Sequence, residues 1–185
     1  PQGASPETFE PTPKQLREVE TARFVFGTGL LEFEQELLHR IARNEQIINL
    51  SQGIELIAGT CSHAHHDHSC GHAHGVDPHI WCSPKSLKVM AKNAHTAIVA
   101  TMPDSLQYTE AYNALNEQIA ALDNEVAELA SRASLPYFII YHPALTYLAR
   151  DYGLEQVSIE NDGKEASAKR IAQIISAARA DGIKS

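Results

Sequence analysis

Apolar positions along the chain alternate between short uninterrupted runs and longer stretches spaced by three and four. The first periodic stretch opens at Thr12. Thr at the N-cap, Pro13 at the first helical position and Gln15 three residues after the cap form a helix-start signature. Leu16 and Val19 give that helix an apolar face. Residues 23–26, an apolar run stopped by Gly27, read as a buried strand. Residues 31–42 place Phe33, Leu37, Leu38 and Ile41 at helical spacing, and residues 47–50 form a second strand, followed by Ser51-Gln52-Gly53 and a histidine-rich tract. Strands alternating with helices imply a parallel sheet.

Ser83 and Pro84 open a helix that runs to about Thr101 and stops at Pro103. The longest periodic element follows, with Tyr108, Tyr112, Leu115, Ile119, Leu122, Val126 and Leu129 as its predicted inner face. At 1.5 Å per residue it spans roughly 40 Å. A coiled coil would share this spacing, but at most about four heptads with α/β sequence on both sides weigh against it. Beyond Pro136 the pattern predicts a strand at 137–141, a short helix at 144–151 ended by Gly153 and a strand at 157–159. It then predicts a helix at 166–180 with Ile171, Ile174, Ile175 and Ala178 facing inward, and Ile183 opening another strand. The expected fold class is α/β. Two incomplete parallel-sheet lobes, at 1–102 and 133–185, are joined by one long rigid helix at 103–132, with the tract at 61–74 inside the first lobe.

Composition sharpens this picture. The chain has 185 residues, 43% of them hydrophobic, enough to bury a core. No run approaches the roughly 18 apolar residues of a membrane span. A net charge of -8 with scattered Lys and Arg argues against nucleic acid and leaves room for a cationic ligand. No leader or lipid-attachment cysteine opens the chain and it does not start with Met, which reads as truncation and not as a cytoplasmic location.

Ten histidines are unusual, and six of them (His63, His65, His66, His68, His72 and His74) crowd the tract together with Asp67. Imidazole suits zinc, copper and nickel, so the tract carries a compositional metal signature. Lacking apolar residues, it is expected to be a mobile surface loop of modest affinity. Three cysteines support neither a disulfide scaffold nor a tetrathiolate zinc module. Cys61 and Cys70 are expected to pair in an oxidising compartment, a small loop worth roughly 2–3 kcal/mol, leaving Cys82 free and buried beside Trp81. The other reading has both thiols joining the histidines around zinc.

Three isolated residues are further metal-ligand candidates. His79, in Asp77-Pro78-His79-Ile80-Trp81, is held between a proline and a helix start. His142 lies at the carboxyl end of the 137–141 strand, where α/β sheets bind their ligands. Glu7 sits in a loop stiffened by prolines. Each alone is more often structural: a locally hydrogen-bonded histidine, or a solvated carboxylate.

In their order along the chain, four segments resemble the metal-binding receptors of zinc and manganese ABC importers, specifically the zinc branch. They are Ser5-Pro6-Glu7-Thr8-Phe9-Glu10-Pro11-Thr12-Pro13, Asp77-Pro78-His79-Ile80-Trp81, His142-Pro143-Ala144-Leu145-Thr146-Tyr147-Leu148-Ala149 and Asp162-Gly163-Lys164-Glu165. A histidine-rich insert ahead of the Asp-Pro-His motif is typical of that branch. The resemblance implies a metal held in the cleft between two lobes, with His79 and His142 as ligands from opposite lobes. Glu7 stands where the family usually has His, and glutamate still ligates zinc through oxygen. A fourth, acidic ligand would lie beyond Ser185. Ala166 replaces a common Pro at a helix start, a change expected to be harmless.

The resemblance further implies an extracytoplasmic protein, periplasmic or lipid-anchored, that passes Zn2+ to a membrane permease, with no nucleic acid partner and no catalysis. Mn2+ or iron is the alternative cargo, because a carboxylate softens the preference for zinc. A surface adhesin or zinc buffer could use the same fold. A zinc hydrolase would also need two histidines, a carboxylate and an open position, but the chain has no His-Glu-x-x-His pair.

Overall fold

A computed structural model of the chain describes residues 9–35, 44–59, 75–102, 106–160 and 166–183. Helix α1 (Pro13–Thr21) starts as its sequence predicts: the Thr12 N–H donates to Gln15 Oε1 at 2.9 Å and the Gln15 N–H to Thr12 Oγ1 at 3.4 Å. Strands β1 (Val25–Gly27) and β2 (Ile47–Asn49) pair in parallel, Val25 opposite Ile47 and Gly27 opposite Asn49. Arg23 stays outside β1 and its guanidinium donates to the Thr101 carbonyl at 3.3 Å. Past β1 the buried Glu34 carboxylate accepts from the Thr28 N–H (3.0 Å) and hydroxyl (2.7 Å), closing the turn. Residues 32–35 are helical, and the rest of the helix predicted at 31–42 lies outside the described residues.

After β2, residues 57–59 and 75–77 meet antiparallel at the base of the histidine tract. Ala58 bridges Val76, the Gly59 N–H donates to Gly75 O, and the Asp77 N–H donates to Ile57 O at 2.9 Å. A Cβ on Gly59 would lie 3.2 Å from the Gly75 carbonyl carbon and 3.3 Å from that of Val76, so glycine permits this approach.

Helices α2 (Pro84–Thr101) and α3 (Leu106–Ser131) lie side by side, with the His95 ring stacked on Tyr112 at 4.3 Å and bonded to the Thr109 hydroxyl at 3.1 Å. The length of α3 is as expected, but its inner face is corrected. Leu115, Leu122 and Leu129 are exposed (46%, 43% and 57%), while Thr109, Asn116 and Asp123 turn inward beside Tyr112, Ile119 and Val126. For Thr109 and Asp123 the reason is polar partnership, which apolar periodicity does not count. Thr109 meets His95, and Asp123 accepts from the Tyr152 hydroxyl at 2.6 Å.

The second lobe holds β3 (Tyr137–Ile140), α4 (Thr146–Asp151) and β4 (Glu155–Ser158). β3 and β4 pair in parallel from Tyr137 opposite Glu155 to Ile140 opposite Ser158, and the ladder continues through Ile159 N–H to Ile140 O and Glu160 N–H to Tyr141 O, both 2.9 Å. β4 begins two residues before its predicted start because the Glu155 N–H already finds Pro136 O at 2.7 Å.

Helix α5 (Ala168–Ala180) is capped by Ser167, whose Oγ accepts from the Arg170 N–H at 3.2 Å. Its predicted inner face is half right: Ile174 and Ala178 are half-buried, whereas Ile171 and Ile175 are 40% and 45% exposed. Among the described residues only β3 and β4 form the sheet beside α5, and two strands about 5 Å apart do not cover the side of a helix about 10 Å wide. A cleft of about 340 Å³ remains between α5 and the sheet, lined by Tyr137, Ile139, Val157 and Ile174. The Ile183 N–H caps Ala178 O at 2.9 Å while Gly182, at φ +75°, bonds Arg179 O, a Schellman ending of α5; the rest of the strand expected to open at Ile183 lies outside the described residues.

Ile80, Ser83 and Tyr147 are the largest fully buried side chains described, and Ser83 and Tyr147 each bond across the two lobes. Ser83 precedes α2 but its hydroxyl does not cap that helix; it donates to the Asp151 carboxylate of α4. Lys85 Nζ reaches the Asp151 carbonyl at 2.7 Å. Ser83→Ala is expected to cost about 1–3 kcal/mol, because a buried carboxylate loses a donor. Chemical denaturation of the full-length protein would measure it. No helix among the described residues is long and apolar enough to cross a membrane.

Candidate metal centre

The centre is built from two loop histidines, each leaving a defined element. Asp77 turns the chain into His79: its Oδ1 accepts the His79 backbone N–H at 2.9 Å and lies 2.7 Å from His79 Nδ1. The 3-10 turn Ile80–Cys82 follows, and buried Ile80 anchors it. The His79 side chain is only 9% exposed and meets the Trp81 ring edge-on at 5.5 Å.

His142 leaves the carboxyl end of β3. Its Nδ1 lies 3.1 Å from Glu160 Oε2, at the end of neighbouring β4. The two rings approach with centroids 5.1 Å apart and Nε2 to Nε2 at 3.2 Å.

The carboxylates decide the tautomers. Burial pushes the Asp77 carboxyl up, but hydrogen bonds from the His79 ring and backbone and from the Thr146 hydroxyl outweigh it and hold the group below its usual value. An ionised carboxylate only accepts, so the hydrogen-bond network assigns the proton of each ring to Nδ1, opposite Asp77 and Glu160. The two Nε2 atoms then face one another across 3.2 Å, a contact that either a shared proton or a metal ion bound to both nitrogens satisfies. Two zinc–nitrogen bonds of about 2.0–2.1 Å at a tetrahedral angle put the nitrogens about 3.3 Å apart. The observed separation matches that geometry.

Other candidates stand differently. Glu7, His63, His65, His66, His68, His72, His74, Cys61 and Cys70 lie outside the described residues. Cys82 is a free thiol as expected, but half-buried and not buried. Burial and then the charge of Asp77 push its pKa up, which disfavours a thiolate ligand. Among the described residues no group of three or more His, Cys, Asp or Glu side chains converges as a metal cage.

Sequence reasoning named Asp77 and Thr146 within motifs without giving either a task, and it passed over Glu160. The signal for Glu160 lies in register. With Ile140 opposite Ser158, two further steps along both strands bring His142 level with Glu160.

Known proteins match the chain along its whole length. A model of the ZnuA family, described as zinc-uptake complex component A, periplasmic, matches residues 1–185. The high-affinity zinc uptake system protein ZnuA of Bacillus subtilis (strain 168) is 32% identical over 196 residues, covering 100% of this chain and 60% of the relative. The zinc-binding lipoprotein AdcA of Streptococcus pneumoniae serotype 4 is 32% identical over 180 residues, covering 93% of this chain and 36% of the relative. The chain thus spans less than two thirds of either relative. A crystal structure of ZnuA matches with a TM-score of 0.79 at 30% identity, over 98% of this chain and 68% of that one. A zinc-bound ZnuA deletion mutant matches with a TM-score of 0.76 at 31% identity, over 96% and 66%.

Proposed function

We propose, because the chain belongs to the ZnuA family of periplasmic zinc-uptake components, that the whole protein is an extracytoplasmic receptor that captures zinc and hands it to the membrane permease of an ABC-type importer. The observation that carries this reading is the pair of Nε2 atoms 3.2 Å apart, each ring backed by a carboxylate. Such carboxylate–histidine pairs fix the direction of the ligating lone pair and raise its basicity. His79 and His142 are the nitrogen ligands in this proposal, and Glu7 supplies an oxygen. Two nitrogens and an oxygen suit zinc, with manganese or iron the weaker cargo. Capture and release make and break no covalent bond in a substrate, so the role needs no catalytic residue. The names of the relatives, a zinc uptake system protein and a zinc-binding lipoprotein, support both the cargo and a location outside the inner membrane.

The histidines of the tract then serve as weaker, interchangeable sites that gather zinc near the cleft. Calorimetric titration of the full-length protein is expected to show one tight zinc and further weak ones. Deleting residues 62–74 lowers the stoichiometry and spares the tight event. Loss of the tight event with the tract would remove His79 and His142 from the ligand set.

A further inference from the structure

We propose that Tyr147 is the positioning residue that sets the separation of His79 and His142, by bonding α4 of the second lobe to two chain segments of the first. Its side chain is 0% exposed and lies five residues after His142. The phenol donates to the Asp77 carbonyl at 2.7 Å and accepts from the Ile57 N–H at 3.1 Å, so the donor and one acceptor of the oxygen both reach across the lobes. The Asp77 N–H in turn bonds Ile57 O at 2.9 Å, which makes the phenol a bridge over an already paired stem. Asp77 is also the residue whose carboxylate faces His79 Nδ1. One continuous route of hydrogen bonds and short backbone therefore runs from His142 through Tyr147 and Asp77 to His79.

One neighbour reinforces the tie: Arg150 stands 5.1 Å over the Tyr147 ring while its Nη1 donates to Glu55 O at 2.6 Å. Burial pushes the Tyr147 phenol above its usual value, so it stays a donor at neutral pH. The same contacts would suit a tyrosine that only fills space between the lobes, and the two roles separate by experiment.

The inference rests on the zinc-receptor reading. Tyr147→Phe in the full-length protein keeps the ring and its cation and removes only the oxygen. The expected result is a zinc Kd, measured by competition with a chromophoric chelator, raised about 10–100-fold, the range for loss of an outer-shell partner. The ligand-field spectrum of the cobalt-loaded variant shifts as well. An unchanged Kd and cobalt spectrum, with only a lower Tm of the metal-free protein, would reduce Tyr147 to packing and overturn the proposal.

A second measurement uses wild-type protein and does not depend on the variant folding. Coupling is reciprocal, so zinc that benefits from the tie must also strengthen it. Hydrogen exchange at the Ile57 amide is expected to slow about tenfold or more on zinc saturation, relative to amides of α5. An Ile57 amide indifferent to zinc would overturn the proposal. A wild-type protein that takes up no zinc at all would instead bring down the receptor reading, and this inference with it.

Discussion

His142→Ala in the full-length protein is expected to weaken tight zinc binding by more than about 100-fold, beyond the range of an outer-shell loss. The substitution deletes a nitrogen that the structure aims at His79 Nε2 from 3.2 Å. It also strips the Glu160 carboxylate, whose side chain is 14% exposed, of the ring it faces. Glu7→Ala is expected to cost less, because zinc favours imidazole nitrogen and water can replace a carboxylate oxygen. Glu160→Gln keeps the size and one acceptor but drops the charge, and a loss of about tenfold is expected. Chelator competition ranks the three. A Glu7 variant weaker than the His142 variant would reverse the assignment of the dominant ligand.

Ile80→Ala is expected to destabilise the protein by about 2–5 kcal/mol, the cost of a large-to-small change at a site with no room to collapse. Ile80 is fully buried, and its backbone is pinned on both sides: its N–H bonds Pro78 O at 2.8 Å and its carbonyl accepts the Ser83 N–H at 3.4 Å. A turn fixed at both ends cannot easily move to fill the cavity. In denaturant titrations the midpoint falls while the slope stays unchanged. A cost under about 1 kcal/mol would mean that the lobes close over the gap.

What could be read from the residues follows how local each determinant is. The start of α1 was legible because Thr12, Pro13 and Gln15 make their bonds within one turn. The start of α2 was legible from Pro84, although Ser83 spends its hydroxyl on Asp151 and not on the cap. The inner face of α3 was misread because two of its inward polar positions, Thr109 and Asp123, are matched by His95 and Tyr152, partners outside the helix. Ile171 and Ile175 were assigned to a core that the two described strands of the second lobe do not by themselves cover. In the centre, His79 and His142 stood out through their motifs. Glu160 and Tyr147 did not, because the first matters through strand register and the second through an oxygen that bonds across the lobes.

The paired base at residues 57–59 and 75–77 has an evolutionary consequence. The Ala58–Val76 bridge and its flanking bonds return the chain to the point it left, ahead of Asp77. Whatever lies between Gly59 and Gly75 can therefore gain, lose or exchange residues over generations without transmitting the change to His79. Drift in that interval tunes how many histidines the protein displays, while selection on the cleft acts on a separate set of positions. Gly59 itself is outside this freedom. A side chain there would press on the backbone of Gly75 and Val76, which would have to shift by a few tenths of an ångström to admit it.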